Sequence, residues 1–259
     1  MTKQKLSVWQ PKSSRPWDKV PKWLLPILLI LLVGFIFFVS QYASSLILSL
    51  YAVIRGWNSV QANNWLNNSV TAQFLFVLLF EGFSVVLLWL IFRRYGKSLS
   101  SIGLKKIRLR DGGYGLLAYP AYLVIYLIAI GIATHFIHGL NVNQSQNIGF
   151  ASVHGSTQMI LTFISLVILP PIAEELLFRG LLFEGLKKSI PVVYAGLLTS
   201  LIFAAAHLPE GGGGNLFWIG ALDVFILSLV LVYLKQKTKS LWPGIFLHAI
   251  KNAVAFIYL

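Results

Sequence analysis

The chain has 259 residues, of which 57% are apolar and only 11% are charged, and its net charge is +13. Its mean hydropathy of +0.75 excludes an ordinary soluble domain and predicts a membrane protein. The basic excess would suggest nucleic-acid binding in a soluble protein, but in a membrane protein it reports on topology, so we expect no nucleic-acid partner. The lack of cysteine excludes disulfides, thiolate catalysis and cysteine metal ligands.

Seven apolar runs are long enough to cross a bilayer as helices. They cover about residues 24–47, 71–92, 114–138, 157–187, 190–208, 216–234 and 241–259. The fourth run contains Pro170 and Pro171, so it is either one kinked helix or a short span followed by a second segment. The sequence therefore predicts an all-α, polytopic transmembrane helix bundle of seven spans, or of eight if the fourth run is divided.

One structural domain accounts for the chain, because no internal repeat, low-complexity tract or Gly/Ser linker divides it. Within it we distinguish a basic N-terminal tail at 1–22, N-terminal transmembrane helices at 23–156, and a core at 157–259 that carries the polar motifs. The first apolar run is longer than the core of a signal peptide, so we interpret it as a retained span.

The basic residues alternate between loops. Eighteen of the 21 precede the first span, lie between Arg93 and Arg110, or occupy positions 187–188 and 235–239. This pattern predicts a multi-pass cell-membrane protein with a cytoplasmic N-terminus and, with seven spans, an outer C-terminus. The segment 97–110 mixes apolar and basic side chains, so it is either an interfacial stretch against anionic lipid at the cytoplasmic face or an ordinary loop.

Two glutamates and an arginine interrupt the fourth run, in the string Glu174-Glu175-x-x-x-Arg179. Charged groups at the centre of a span cost roughly 2.5–3.5 kcal/mol each, so they imply a polar intramembrane cavity. On a helix Glu175 and Arg179 share a face, whereas Glu174 is turned by about 100°. We therefore expect Glu175 to pair with Arg179 and Glu174 to be free as a general base. The alternative is that the pair only holds helices together and Glu174 faces a watery crevice.

Two later runs add histidines and an amide. The fifth ends in Phe203-x-x-x-His207, and the last contains His248-x-x-x-Asn252, whose four-residue spacing projects both side chains into the same space. Each of these residues could instead join helices or cap a helix end. Other polar groups carry no motif: Glu81 and Asp223 lie in spans, where Asp223 lines the cavity or is a hydrogen-bonded structural carboxyl. Solvated loop positions account for His135, His138 and His154.

Together these three motifs, in this order on successive apolar segments, resemble those of the CPBP family of intramembrane proteases. This family is also described as the Abi, or type II CAAX prenyl endopeptidase and bacteriocin-processing, family. The resemblance covers about residues 157–259, and the order and spacing of the motifs make it specific. The segment 101–104, before the third span, is similar to one often seen in the family.

The resemblance implies a site. Glu174 with His207 would activate the water that attacks a peptide carbonyl, and His248 with Asn252 would steady the oxyanion or complete the polar site. Glu175, Arg179 and Phe203 would support them. A zinc ion, if one is used, would take Glu174, His207 and His248 with water in the fourth position, while metal-free glutamate catalysis is equally consistent with the sequence.

The sequence thus predicts an intramembrane endopeptidase that acts on a peptide or membrane-protein substrate, in bacteriocin-type peptide processing or self-immunity rather than prenyl-protein maturation. Neither His-Glu-x-x-His nor Gly-x-Ser-x-Gly nor a P-loop is present, which argues against zincin, serine and ATP-driven mechanisms. Two alternatives remain: a non-proteolytic immunity or regulatory binding protein, and a proton-coupled transporter. The transporter is less favoured because only the Pro170-Pro171 break suggests a discontinuous helix.

Overall fold

The computed structural model describes residues 20–150 and 153–258. Their main helices are α1 (Leu25–Ile54), α2 (Ser59–Asn68), α3 (Val70–Arg94), α4 (Leu109–Phe136), α5 (Gly155–Leu186), α6 (Val192–His207), α7 (Trp218–Thr238) and α8 (Trp242–Ile257). Apart from one isolated bridge between Gln146 and Gly211, these residues contain no β-structure, so the predicted all-α class is confirmed. The predicted tail at 1–22 lies outside the described residues except for its last three positions.

Six helices in the described ranges are long and apolar enough to cross a membrane: α1, α3, α4, α5, α6 with the turn after it, and α7. The predicted count of seven or eight spans is not confirmed. Helix α8 has 16 residues, which gives about 24 Å, less than the ~30 Å hydrocarbon core. Helix α5 is one continuous stretch of 32 residues, so the prolines do not divide it into two spans.

Helix α5 is the centre of the bundle and packs against α1, α3, α6, α7 and α8. Its hydrogen bonding changes from α to π at Ile164–Ile168 and again at Glu175–Phe183. Pro170 and Pro171 lie between these segments and lack the amide hydrogens of a regular helix. Wider π turns accommodate such a gap without ending the helix, and they recur at functional sites.

Burial separates the inner helices from the peripheral ones. Of the most apolar window of each helix, 56% is buried in α7 and 44% in α5, but only 6% in α4. Large side chains of α4 such as Leu117 and Leu127 are 76% and 63% exposed. So large an apolar surface is unfavourable in water and suits contact with lipid.

Helix α4 lies close to α8 because Gly115 has no side chain. A Cβ atom at Gly115 would lie 2.9 Å from the backbone oxygen of Pro243 and 3.0 Å from the backbone nitrogen of Leu247. Small residues permit this close helix approach in membrane proteins. The contact holds α8, and with it His248, against α4 and α7.

Two loops meet at the end of the bundle opposite the basic loops. We call residues 137–150 and 153–154, together with residues 208–217, the paired loops. The amide of Asn147 donates to the carbonyl of Glu210 (2.7 Å), and the side chain of Gln146 donates to the carboxylate of the same residue (2.7 Å). Gly211 is required here, since a Cβ at this position would lie 1.9 Å from the backbone oxygen of Asn215.

Two local features differ from the sequence expectations. Helix α2 was not predicted, although Asn58 and Gln61 form a capping box at its start, which is a readable signal. In the predicted interfacial segment 97–110, Ile102 is buried against α5 near Gly180, whereas Leu109 is 98% exposed. Only the second half of this segment has the exposure expected of an interfacial stretch.

Candidate active site

A cavity of about 590 Å³ lies between α5, α6, α7, α8 and the paired loops. Its volume is in the range of sites that bind small molecules or short peptide segments. All four residues predicted to be catalytic line it: Glu174, His207, His248 and Asn252. The structure therefore brings together side chains that lie up to 78 positions apart in the chain. Loop residues Gln146–Ile148, Glu210 and Phe217 line the same cavity on the side of the paired loops.

Glu175 and Arg179 form a fully buried ion pair beside the cavity. The Nη1 atom of Arg179 lies 2.8 Å from Oε1 of Glu175, as the four-residue spacing predicts. Helix α8 approaches this pair at Gly244, where a Cβ atom would lie 2.7 Å from Oε2 of Glu175. The pair thus joins the π segment of α5 to α8 through a position that excludes any side chain.

His248 lies between the two glutamates. Its Nε2 atom is 3.7 Å from Oε2 of Glu174, and its Nδ1 atom is 3.8 Å from Oε1 of Glu175. The 100° turn between adjacent helical positions directs Glu174 into the cavity and Glu175 towards Arg179, while the imidazole of α8 remains near both. Polar atoms at such separations are commonly bridged by water rather than bonded directly.

His207 is oriented by its own helix. Its Nδ1 atom donates a hydrogen bond to the backbone oxygen of Phe203 at 2.8 Å, because a carbonyl can only accept. That bond fixes the tautomer of the neutral ring and leaves Nε2 as the nitrogen able to accept a proton. The Phe-x-x-x-His spacing is the helical spacing that this bond needs.

The Phe203 ring packs against Arg179 and against both histidines. The guanidinium carbon of Arg179 lies 4.4 Å from its centroid, and the rings of His207 and His248 lie at 4.6 and 6.0 Å. Cation–π attraction and edge-to-face ring contacts both favour this arrangement. Phe203 is fully buried, so its role is to pack these groups at fixed positions.

Asn252 has a structural partner that the sequence alone did not reveal. Its Nδ2 atom donates to the backbone oxygen of Leu166 at 3.0 Å. In a regular α-helix that oxygen would accept the amide hydrogen of residue 170, which is a proline. The amide of Asn252 therefore replaces the hydrogen bond that Pro170 cannot make, and it ties α8 to α5 about two turns before Glu174.

We expect Asn252→Ala to destabilise the folded protein by about 1–3 kcal/mol, because the carbonyl of Leu166 loses its partner in an apolar setting. In a Pro170→Ala background the backbone regains an amide hydrogen for that carbonyl, so the same change has a smaller effect. Thermal unfolding of the four proteins in detergent measures the difference. Equal losses in both backgrounds would contradict the link between Asn252 and Pro170.

Several buried polar atoms around the cavity lack a hydrogen-bond partner within the described part of the chain. They include Oε2 of Glu174, Oε2 of Glu175, Nε and Nη2 of Arg179, Nδ1 of His248 and Oε2 of Glu81. Buried polar groups are ordinarily satisfied by protein or by ordered water. Of these residues, Glu174 and His248 line the cavity, where their free atoms can meet a polar ligand.

The three residues that a zinc ion would take, Glu174, His207 and His248, all line the cavity. The bond from Nδ1 of His207 to the backbone of Phe203 leaves Nε2 free, and metal-ligating histidines commonly make such a bond. Across residues 20–150 and 153–258, no group of three or more His, Asp or Glu side chains is arranged to hold a metal ion.

Acidic residues without a motif also lie at this site. Glu81 of α3 is 6% exposed and interacts electrostatically with Glu174. Asp223 lines the cavity and is also hydrogen-bonded, so it has both of the roles that the sequence left open. It accepts a hydrogen bond from Tyr122 and pairs with Lys251. An ionisable side chain inside a span was the sequence signal for each of them.

The other histidines lie apart from the cavity. His135 is in the last turn of α4, His138 follows that helix, and His154 immediately precedes α5. None of the three lines the cavity. A second cavity of about 340 Å³ lies at the opposite end of the bundle, beside Lys97, Glu184 and Lys188, and no histidine lines it.

Comparisons with known proteins agree with the motifs. Residues 156–254, which contain all three, match the family described as "Type II CAAX prenyl endopeptidase Rce1-like". A Bacillus subtilis (strain 168) protein named "Putative membrane peptidase YdiL" is 26% identical over 160 residues, covering 59% of this chain and 62% of that protein. The match thus spans less than two thirds of that relative. No solved structure matches the chain. Six of the described helices have the length and apolarity of a multi-pass membrane protein, and residues 156–254 are similar to the Rce1-like, type II CAAX prenyl endopeptidase family.

Proposed function

We propose that the protein is an intramembrane endopeptidase that hydrolyses a peptide bond with a water molecule activated by Glu174 and His207. The observation that carries the proposal is the shared cavity of Glu174, His207, His248 and Asn252. The similarity of residues 156–254 to an endopeptidase family supports the same reaction class. A peptide or membrane-protein segment is the substrate that this cavity and this family imply.

The proposed reaction begins with water held beside Glu174. The carboxylate accepts one proton as the water oxygen bonds to the peptide carbonyl carbon, and Nε2 of His207 orients the water. The tetrahedral oxyanion is stabilised by donors from α8, namely His248 and the second amide hydrogen of Asn252. The carbon–nitrogen bond then breaks, and the proton passes from Glu174 to the leaving nitrogen.

The Glu175–Arg179 ion pair acts by positioning other groups of the site. Arg179 neutralises Glu175, so that a second negative charge does not face Glu174 from the same turn of α5. Phe203 packs against the guanidinium and against both histidines and keeps them aligned. These residues are therefore positioning residues rather than groups that touch the substrate.

The cavity is proposed to open on the non-cytoplasmic face. Its loop-side lining comes from the paired loops, whereas the basic residues concentrate on the loops at the other end. Basic loops mark the cytoplasmic side, where they also face anionic lipid. Because the chain has no cysteine, Asn143→Cys and Lys106→Cys can each be labelled singly in whole cells. An impermeant maleimide should modify only Asn143→Cys; labelling of Lys106→Cys alone would reverse the orientation.

The biological role we propose is processing of small secreted peptides of the bacteriocin type, or self-immunity to such peptides. Cells carrying wild-type protein, Glu174→Gln or His207→Ala at equal membrane abundance test it through mass spectrometry of their released peptides. Peptide termini that appear only with the wild type support processing. Identical peptide profiles combined with an intact immunity phenotype in both variants would favour a binding protein instead.

A further inference from the structure

Three helices converge on one ammonium group in the cavity wall. Tyr122 of α4 donates its hydroxyl hydrogen to Oδ1 of Asp223 on α7. The other carboxylate oxygen of Asp223 lies 3.1 Å from Nζ of Lys251 on α8. Tyr122 is 3% exposed, so this chain of contacts is anchored in the protein interior. None of these three residues belongs to the sequence motifs.

The ammonium of Lys251 has hydrogen atoms left to donate. Each oxygen of Asp223 already accepts one bond, and the ammonium, which has three hydrogens, uses one of them on Asp223. Within the described ranges, Lys251 forms its ion pair with Asp223. Lys251 lines the cavity, and its side chain is 19% exposed. A ligand at this point of the wall is therefore met by hydrogen-bond donors and a positive charge.

Its position relates Lys251 to the reacting centre. It follows His248 by three residues on α8 and directly precedes Asn252. Residues three apart on a helix have Cβ atoms about 5–6 Å from each other on neighbouring faces. A group bound by Lys251 would thus lie within a few residues of the peptide bond over His248, since an extended residue spans about 3.3–3.6 Å.

A purely structural ion pair explains less. A helix contact between α7 and α8 does not need a lysine, whose charge is costly to bury. The pair also faces the cavity rather than the packed interface. Other acids in the lining, Glu174 and Glu210, would repel an anion, so Lys251 is the point at which the wall accepts negative charge.

We propose that Lys251 binds a carboxylate of the peptide substrate and so selects which peptide bond lies over His248. This inference rests on the proposed peptidase function and adds a substrate class to it. The carboxylate has two sources, the free C-terminus of the peptide or an acidic side chain near the cleaved bond. Asp223 and Tyr122 hold the ammonium at the position where it meets that group.

The test uses full-length protein in liposomes and three libraries of hydrophobic synthetic peptides. The first has free C-terminal acids and no Asp or Glu, the second has the same sequences as C-terminal amides, and the third is amidated but contains one Glu. Mass spectrometry gives the cleavage rate of each library. A charge-assisted hydrogen bond predicts that the wild type cleaves the preferred carboxylate library at least about tenfold faster than the neutral amides.

In Lys251→Met this preference should fall to about one, and in Lys251→Arg it should largely persist. Preference for the first or the third library identifies the source of the carboxylate. If Lys251→Met unfolds because Asp223 is left unpaired, the double variant Asp223→Asn/Lys251→Met is read in the same way. Equal wild-type rates on all libraries, or a preference that survives loss of Lys251, would overturn the inference. No cleavage of any library by wild type would overturn the proposed function itself.

Discussion

Glu174→Gln is expected to lower the rate of peptide hydrolysis by about 10²–10⁴-fold, the usual contribution of a general base. The change keeps the size and hydrogen-bonding shape of the side chain but removes its ability to accept a proton. Because Glu174 faces the cavity and Glu175 carries the ion pair with Arg179, the fold should be unaffected. Turnover by purified protein in liposomes, at matched protein amounts, gives the rate ratio.

A carboxylate on the same helix provides the control. Glu184 pairs with Lys187 and Lys235 at the far end of α5 and does not line the cavity. Glu184→Gln should therefore leave the rate per folded protein within about twofold of wild type, because Glu184 lies outside the cavity. Equal rates for wild type and Glu174→Gln would show that another group activates the water.

Arg179→Met should produce the largest loss of stability, about 3–5 kcal/mol in the free energy of unfolding. The guanidinium and its partner Glu175 are fully buried, so removal of one leaves the other charge without compensation. The packing of Phe203 against the guanidinium would be lost as well. Denaturant titration of the detergent-solubilised protein, followed by tryptophan fluorescence, measures the effect.

Two comparisons separate the charge from the packing. The double variant Glu175→Leu/Arg179→Met removes both charges, so it should be less destabilised than Arg179→Met alone. Lys187→Met breaks the partly exposed pair with Glu184 on the same helix and should change stability by about 1 kcal/mol or less. If Arg179→Met lowered the free energy of unfolding no more than Lys187→Met, the buried pair would not be a main source of the protein's stability.

Much of the fold could be predicted because lipid imposes a simple rule on sequence. A long apolar run must become a helix, since no water is present to satisfy its backbone. The helix ends were less predictable: α1 continues to Ile54, beyond the end near residue 47 that hydropathy suggested. Helix α8, in contrast, begins at Trp242 and ends at Ile257, within two residues of the limits of its apolar run.

The prolines of α5 show why local rules misjudge this chain. Pro170 and Pro171 predict a kink or a division of the helix. The π turns of α5 and the hydrogen bond from Asn252 of α8 keep the helix continuous. That repair depends on a contact between residues 86 positions apart. No local sequence pattern indicates this contact, although an amide such as Asn252 within an apolar run indicates that a partner is needed.

The residues that form the candidate site were more predictable than their arrangement in space. Helical spacing correctly separates Glu174 from Glu175, and motif order brings α5, α6 and α8 together. The position of His248 near both glutamates depends on Gly244, whose missing side chain lets α8 come close to Glu175. The Tyr122–Asp223–Lys251 network depends on how α4 packs, which hydropathy does not encode.

Hydrolysis in water enriched in ¹⁸O tests the central claim most directly. Liposomes containing wild-type protein or Glu174→Gln are incubated with a library of hydrophobic synthetic peptides, and new C-termini are read by mass spectrometry. We predict that every new carboxyl terminus formed by the wild type carries one ¹⁸O atom, and that Glu174→Gln forms at least about 10²-fold fewer of them. Equal numbers of labelled termini with both proteins, or none with the wild type, would contradict water activation by Glu174.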